Sequence, residues 1–297
     1  MPPLPRMKPD PLPPVRTTPE ALATGDLKHS YEMTKRAFGV PWMGVVAMAF
    51  AGYPKFYDAL WQHVGPVAGS TAFAAACAEL RATAEAEAQR LTPASLVPGL
   101  KAQGYSDTDL AAIDQVIEVF SEGNMPYLLL ATIARLVLEG VAFRNPDAPE
   151  PAVTSPTRPV WPAGQPLVLI EAHHQNAEGR RLYEDIRTTL GLPFVNTDYR
   201  ALARWPGYFA EAWGALRGHV GGPAHGAAVE AVHARAVELA LGLPGLQGLS
   251  QHSLAAPANA GASADEVQDV VRLFQWLLPG LAVNVGYFRH QLTRTDA

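Results

Sequence analysis

The sequence predicts an all-α fold built from two tandem copies of one helical unit, which form a pseudo-dimer within a single chain. Three observations predict it. Residues 31–61 match residues 183–213 without a gap at a shift of 152 positions. Apolar residues recur at three- and four-residue spacing through most of the chain. The one β-like run, Leu167-Val168-Leu169-Ile170, is too short to found a sheet.

In chain order, residues 1–24 form a Pro-rich tail, expected to lie over the surface or to be partly disordered. The first repeat is expected over 25–143, a Pro-rich linker over 144–166 and the second repeat over 167–297. The linker carries Pro146, Pro149, Pro151, Pro156, Pro159, Pro162 and Pro166, a density that forbids a helix. In the matched segments Tyr31 falls on Tyr183, Gly39 on Gly191, Pro41 on Pro193 and Trp42 on Phe194. Tyr53 falls on Trp205, Pro54 on Pro206 and Trp61 on Trp213. Both copies read as a helix, a Gly-x-Pro-aromatic turn, a second helix, an aromatic-Pro break and a third helix. Further helices are predicted over 72–90, 107–120, 127–141, 226–241 and 264–278, with Ser106 or Asp107 and Ser263 as caps. A weaker match at a shift of 154 lays residues 116–120 on 270–274, and a Pro and an apolar helix follow in each. A ligand site is expected where the halves meet.

Composition narrows the function. The 297 residues are 48% hydrophobic and 17% charged, a globular balance, and the net charge of −5 argues against a nucleic-acid partner. Arg180-Arg181 reads as a solvated face. The lone cysteine, Cys77, excludes an internal disulfide framework and a thiolate metal cluster, and it reads as a small buried residue. The longest apolar stretches fall short of the roughly 18–20 residues a membrane span needs. With no apolar signal core at the N-terminus, the expectation is a cytoplasmic protein without a membrane partner.

A doubled scaffold supplies an internal control. Where one copy is apolar and the other polar, the polar member is a candidate for a separate task. Asp198 falls on Val46, Thr197 on Val45, Asn196 on Gly44, and Asn124 on Leu278. The polar members come from different halves and are candidates for one pocket near the pseudo-two-fold axis. On local pattern alone, however, Asn196-Thr197-Asp198 is also a good N-cap signature, and Gly123-Asn124-Met125-Pro126 is also an ordinary turn.

The same residues carry a family resemblance. Tyr183-Glu184-Asp185-Ile186-Arg187-Thr188-Thr189-Leu190-Gly191-Leu192-Pro193 resembles the opening helix and turn of the group I 2-haloacid dehalogenases, the D- and DL-acting family. Thr197-Asp198-Tyr199-Arg200-Ala201-Leu202-Ala203-Arg204-Trp205-Pro206 resembles the segment with that family's catalytic aspartate. Gly123-Asn124-Met125-Pro126-Tyr127-Leu128-Leu129-Leu130 resembles the segment with its catalytic asparagine. The resemblance spans about residues 25 to 290. It implies an all-α, internally pseudo-dimeric enzyme, usually a homodimer and free of cofactors and metals. Such an enzyme hydrolyses 2-haloalkanoic acids to 2-hydroxyalkanoic acids with inversion, water attacking Cα without an ester on the protein.

That chemistry needs a base, an oriented water, a carboxylate anchor and a slot for halide. Asp198 is the candidate base, its basicity raised by apolar neighbours such as Trp42 and Phe194. Asn124 offers a carbonyl to the other water proton. Thr197, Tyr127 and backbone N–H groups after Asp198 are candidate holders of the substrate carboxylate, and Trp42 is a candidate apolar wall. For these, a helix cap (Thr197) and core packing (Tyr127, Trp42) are the competing readings. Asn196, two before the aspartate, stands where members acting on both enantiomers carry a small residue, which points to D-selectivity. His173-His174, His219, His225, Ser70 and Ser250 lack any catalytic frame. Two other functions remain open: a helical scaffold protein of the same fold, and a hydrolase of another small 2-substituted acid.

Overall fold

The structure, a computed structural model, describes residues 4–141, 143, 167–255 and 262–293. In chain order the helices are α1 (Gly25–Phe38), α2 (Val45–Ala51), α3 (Pro54–Ala68), α4 (Thr71–Gln89), α5 (Val97–Ala102) and α6 (Asp107–Leu138). They continue as α7 (Ala177–Leu190), α8 (Thr197–Leu202), α9 (Pro206–Arg217), α10 (Pro223–Gly242), α11 (Gln251–Ala255) and α12 (Ala264–Gln291). Among the described residues there is no β-strand, and no helix is long and apolar enough to cross a membrane. The run Leu167-Val168-Leu169-Ile170 is extended but unpaired as a strand. Its last residue donates its N–H to the Arg200 carbonyl at 3.0 Å and accepts the Tyr183 hydroxyl at 2.6 Å. The expected linker, 144–166, lies outside the described residues.

The matched sequence positions adopt matched backbone. Both α1 and α7 end in a left-handed glycine, Gly39 at φ 64° and Gly191 at φ 63°. Each is followed by a residue whose N–H bonds back into the last turn, and the positive φ that allows it suits glycine. The N-caps of α3 and α9, Tyr53 and Trp205, share φ −118° with ψ 78° and 76°, and a Pro occupies the first helical position after each. Ser106 and Asp109 close a full capping box on α6, and Ser263 caps α12 through the Glu266 N–H.

The core is a bundle of α4, α6, α10 and α12, with α6 and α12 as the central pair. The short helices pack across the two halves of the chain: α2 lies on α12 and α8 lies on α6. Here the sequence reading needs correction. Breaks were expected near Pro126 and Pro279, yet α6 and α12 run straight through them. Pro126 removes one helical hydrogen bond and crowds the preceding turn, at a cost of about 3 kcal/mol. Every residue from Gly123 to Leu138 is buried, and each fully buried Leu or Ile contributes roughly 1.5–3 kcal/mol, so packing outweighs the defect.

The N-terminal tail is tied down. Arg135 is 1% exposed, and its guanidinium donates to Gln275 Oε1 and, at 2.6 Å, to the Pro5 carbonyl. The Gln275 amide donates to His233 Nδ1 at 2.8 Å, so the remaining His233 N–H donates from Nε2 to the Leu4 carbonyl at 2.7 Å. Arg6 Nε then reaches the Trp276 carbonyl at 2.9 Å.

Candidate active site

Asn124 projects from the middle of α6 and Asp198 from the first turn of α8. The packing of α8 on α6 brings them together: Asn124 Nδ2 donates to Asp198 Oδ1 at 2.6 Å. Asp198 is 2% exposed and Asn124 5%, so the contact is shut off from bulk solvent. Asn124 thus lies within a continuous helix, and the turn reading of its segment does not hold. With its amide nitrogen on the carboxylate, its Oδ1 remains as an acceptor.

Burial pushes the Asp198 carboxyl up to about 6, because the charged form loses hydration. The Asn124 hydrogen bond, its own backbone N–H and the Arg200 charge each pull the other way and do not win. Arg200 is paired with Glu171 and sends Nη2 toward Thr197 Oγ1 at 3.4 Å. A carboxyl titrating near 6 is ionised at neutral pH yet more basic than an exposed Asp, which suits a general base.

Asp198 and Asn124 face a small cavity with about 20 Å³ of room for the centre of a water molecule, enough for one water or little more. Its walls include Trp42, Tyr127, Asn196 and Thr197. They also include Val46 and Leu278, the apolar sequence counterparts of Asp198 and Asn124. All six sequence-predicted site residues therefore border one cavity. Phe194, invoked for its greasy surface, does not line it and packs on Phe274 instead. Sequence reading missed Phe274, Leu277 and Leu281, which close the α12 side. Apolar helical residues carry no mark that separates a cavity wall from ordinary core.

Local structure explains the placement of each wall. The Trp42 indole covers Gly123, where an added Cβ would stand 2.2 Å from the ring, so only glycine lets Trp42 settle beside Asn124. Trp42 also meets Phe120 edge-on at 4.7 Å between centroids. The Tyr127 hydroxyl donates to the Trp42 carbonyl at 2.8 Å and accepts the Gly44 N–H at 2.8 Å. Burial holds this phenol neutral, and both of its bonds serve the Trp42 turn. Tyr127 therefore has no hydroxyl proton left for a substrate. Asn196 stands at the N-cap of α8 but makes no capping bond, and its Oδ1 is buried without a partner among the described residues. The cap reading of Asn196 thus fails for the side chain while holding for the backbone. Thr197 is 5% exposed and opens α8.

The weak signals resolve into structure. Ser70 caps α4, Cys77 is buried in α4, and His225 bonds Asn284. Among the described residues no three His, Cys, Asp or Glu side chains gather as a metal site.

The buried Asp198 carboxylate, bonded by the Asn124 amide beside a small cavity, stands in a chain with known relatives. Residues 41–191 match the family described as halocarboxylic acid dehydrogenase DehI. The chain is 46% identical to an (R)-2-haloacid dehalogenase of Rhizobium sp. (strain NHG3), over 81% of this chain and 93% of that protein. The chain belongs to this 2-haloacid dehalogenase family. A second member, the (R)-2-haloacid dehalogenase of Pseudomonas putida, is 34% identical over 93% of this chain and 92% of its own. A solved structure of a family member, described as a D-2-haloacid dehalogenase in complex with L-LA, superposes with a TM-score of 0.87 at 33% identity, covering 98% of this chain and all of that one. The 2-haloacid dehalogenase family and the all-α fold expected from the sequence are therefore both found.

Proposed function

We propose that this member of the family hydrolyses D-2-haloalkanoic acids to L-2-hydroxyalkanoic acids, with Asp198 as the base and Asn124 as its partner. The observation that carries the reading is the 2.6 Å contact between them beside a cavity sized for one water. One water proton goes to Asp198, the other is held by Asn124 Oδ1, and the oxygen lone pair is left facing Cα. The new C–O bond forms as the carbon–halogen bond breaks; halide leaves with the bonding pair and the carbon inverts. No ester on the protein is needed. Trp42 and the α12 leucines keep bulk water out, which preserves the basicity of Asp198.

Thr197 is the hydroxyl best placed for the substrate carboxylate, with Arg200 adding positive charge behind it. Tyr127 acts indirectly, by fixing the Trp42 turn. We assign the handedness to Asn196, whose amide borders the cavity beside Asp198. The D assignment is supported by the names of the Rhizobium and Pseudomonas putida relatives.

The same proposal includes the chain's history and assembly. Helix starts that coincide at a shift of 152 residues, in α1 with α7, α2 with α8 and α3 with α9, support a duplication of units at 25–143 and 167–297 joined by a linker. A cytoplasmic homodimer completes the reading, with light scattering as its test.

Halide release from D-2-chloropropionate, with Asp198→Asn as control, tests the activity. Turnover by the variant at the parent rate overturns the role of Asp198. A single turnover in heavy-oxygen water tests the route: label in the first product supports direct attack, and label delayed to a second turnover means an ester. A helical scaffold of this fold would release no halide at all. Turnover confined to another 2-substituted acid would favour the related hydrolase.

A further inference from the structure

The Asp198 cavity adjoins a larger pocket, about 230 Å³ by the same measure, and Asn196, Leu277 and Leu281 line both. The larger pocket is mostly apolar, bounded by residues such as Leu190, Val229 and Trp276, and its described lining contains no Asp or Glu. Arg6 lines it from the N-terminal tail. The guanidinium lies over the Trp276 ring at 5.1 Å and is held by the Trp276 carbonyl. The backbone just before it is fixed by Arg135 and His233 through the Pro5 and Leu4 carbonyls. The tail thus sets a partly buried cation at a greasy pocket, and no carboxylate of the described residues pairs with it. Burial lowers the Arg6 pKa, and Glu230, whose charge acts against this, is exposed and outside ion-pair range. His225, the other basic lining residue, is held neutral by burial and donates to Asn284. At the shared wall, Asn196 Oδ1 is buried without a partner among the described residues.

A cation placed at the cost of part of its hydration, beside an apolar chamber whose described lining holds no carboxylate, matches a small organic anion with a short apolar body. The Asp198 cavity, with room for little beyond a water, cannot receive such an anion until the shared wall yields. We propose that the larger pocket is a vestibule in which Arg6 takes the carboxylate of the incoming haloacid before it passes Asn196 into the Asp198 cavity. This rests on the reading of the chain as a haloacid hydrolase and deepens it, by assigning the N-terminal tail to substrate capture.

Steady-state kinetics of the full chain on D-2-chloropropionate test the assignment. Arg6→Leu is expected to lower kcat/KM about tenfold, the loss falling on KM, with Arg6→Lys restoring most of it. The parent's kcat/KM is expected to fall with rising salt, and that of Arg6→Leu to vary less. Gly226→Phe provides a second arm, since Gly226 borders the chamber and an added Cβ there meets nothing within 4 Å. It is expected to reduce kcat/KM at least threefold, and more for longer haloacids. Unchanged kcat/KM in both variants overturns the proposal, as does an Arg6→Leu loss that falls on kcat alone. An unchanged KM with weaker product inhibition by chloride in Arg6→Leu would assign Arg6 to the departing halide, and that too overturns it. Halide release by the parent against Asp198→Asn reports separately on the dehalogenase reading.

Discussion

Asn124 and Asp198 stand 74 residues apart in sequence and 2.6 Å apart in space, amide nitrogen against carboxylate oxygen. The contact joins the central helix α6 to the short helix α8. Its energetics are unfavourable for an ionised carboxylate, since a single neutral amide does not replace a hydration shell. Function and stability are therefore expected to oppose each other at Asp198.

Replacing Asp198 by Asn should abolish turnover and stabilise the fold at alkaline pH. The folded carboxyl titrates near 6 against an ordinary value of 3.8, so the folded state disfavours ionisation. Its stability contribution is fully present below about pH 4, is lost as pH rises through 6, and the cost stays complete above that. The charge costs up to about 3 kcal/mol, which for a chain of this size is several degrees in Tm. Melting curves of parent and variant should coincide near pH 4 and separate by pH 8 in favour of the variant. A gap independent of pH would mean that Asp198 is not desolvated in solution.

The same shift governs activity with the opposite sign. Below about pH 6 the base is protonated, so kcat/KM should fall about tenfold per pH unit and level off above 7. Initial rates of halide release between pH 4.5 and 8 measure it. An inflection at or below 4 would contradict the burial of the carboxyl.

Gly123→Ala places a methyl 2.2 Å from the Trp42 ring. Alanine is the better helix former by about 1 kcal/mol, yet overpacking of this kind costs about 1–3 kcal/mol and displaces the indole from Asn124. The expected outcome is a lower urea midpoint followed by tryptophan fluorescence, with turnover reduced more than tenfold. A variant with better stability and parental turnover would show that Trp42 has room to move.

Asn196→Ala removes a buried oxygen that makes no bond, so stability should change by less than about 1 kcal/mol. The handedness should relax: the preference for D- over L-2-chloropropionate, taken as a ratio of kcat/KM, is expected to fall at least tenfold. If L-2-chloropropionate stays as poor a substrate as before, Asn196 does not set the stereochemistry.

Much of this was legible in the sequence, and the rest was hidden for identifiable reasons. Helix caps at Ser106 and Ser263 and the glycine turns at Gly39 and Gly191 are local devices, and local sequence describes them well. Asp198 and Asn124 stood out because each replaces an apolar residue in the matched copy. Pro126 and Pro279 misled, because a helix's tolerance for proline depends on packing from distant segments. Tyr127 looked like a ligand donor, and only the fold reveals that both of its bonds are spent on the Trp42 turn. The tail's attachment through Leu4 and Pro5 was invisible, since it uses backbone carbonyls, which every sequence possesses.

Val46 and Leu278 share the cavity with the acid and amide whose places they take in the other copy. A second acid at Val46 would thus add no second reaction centre. It would set two carboxylates around a space for a single water, where one must hold a proton and the pair could no longer act as a simple base near neutrality. A single buried carboxylate in so small a space keeps its titration to itself, and the apolar side chains of Val46 and Leu278 are what leave it alone there.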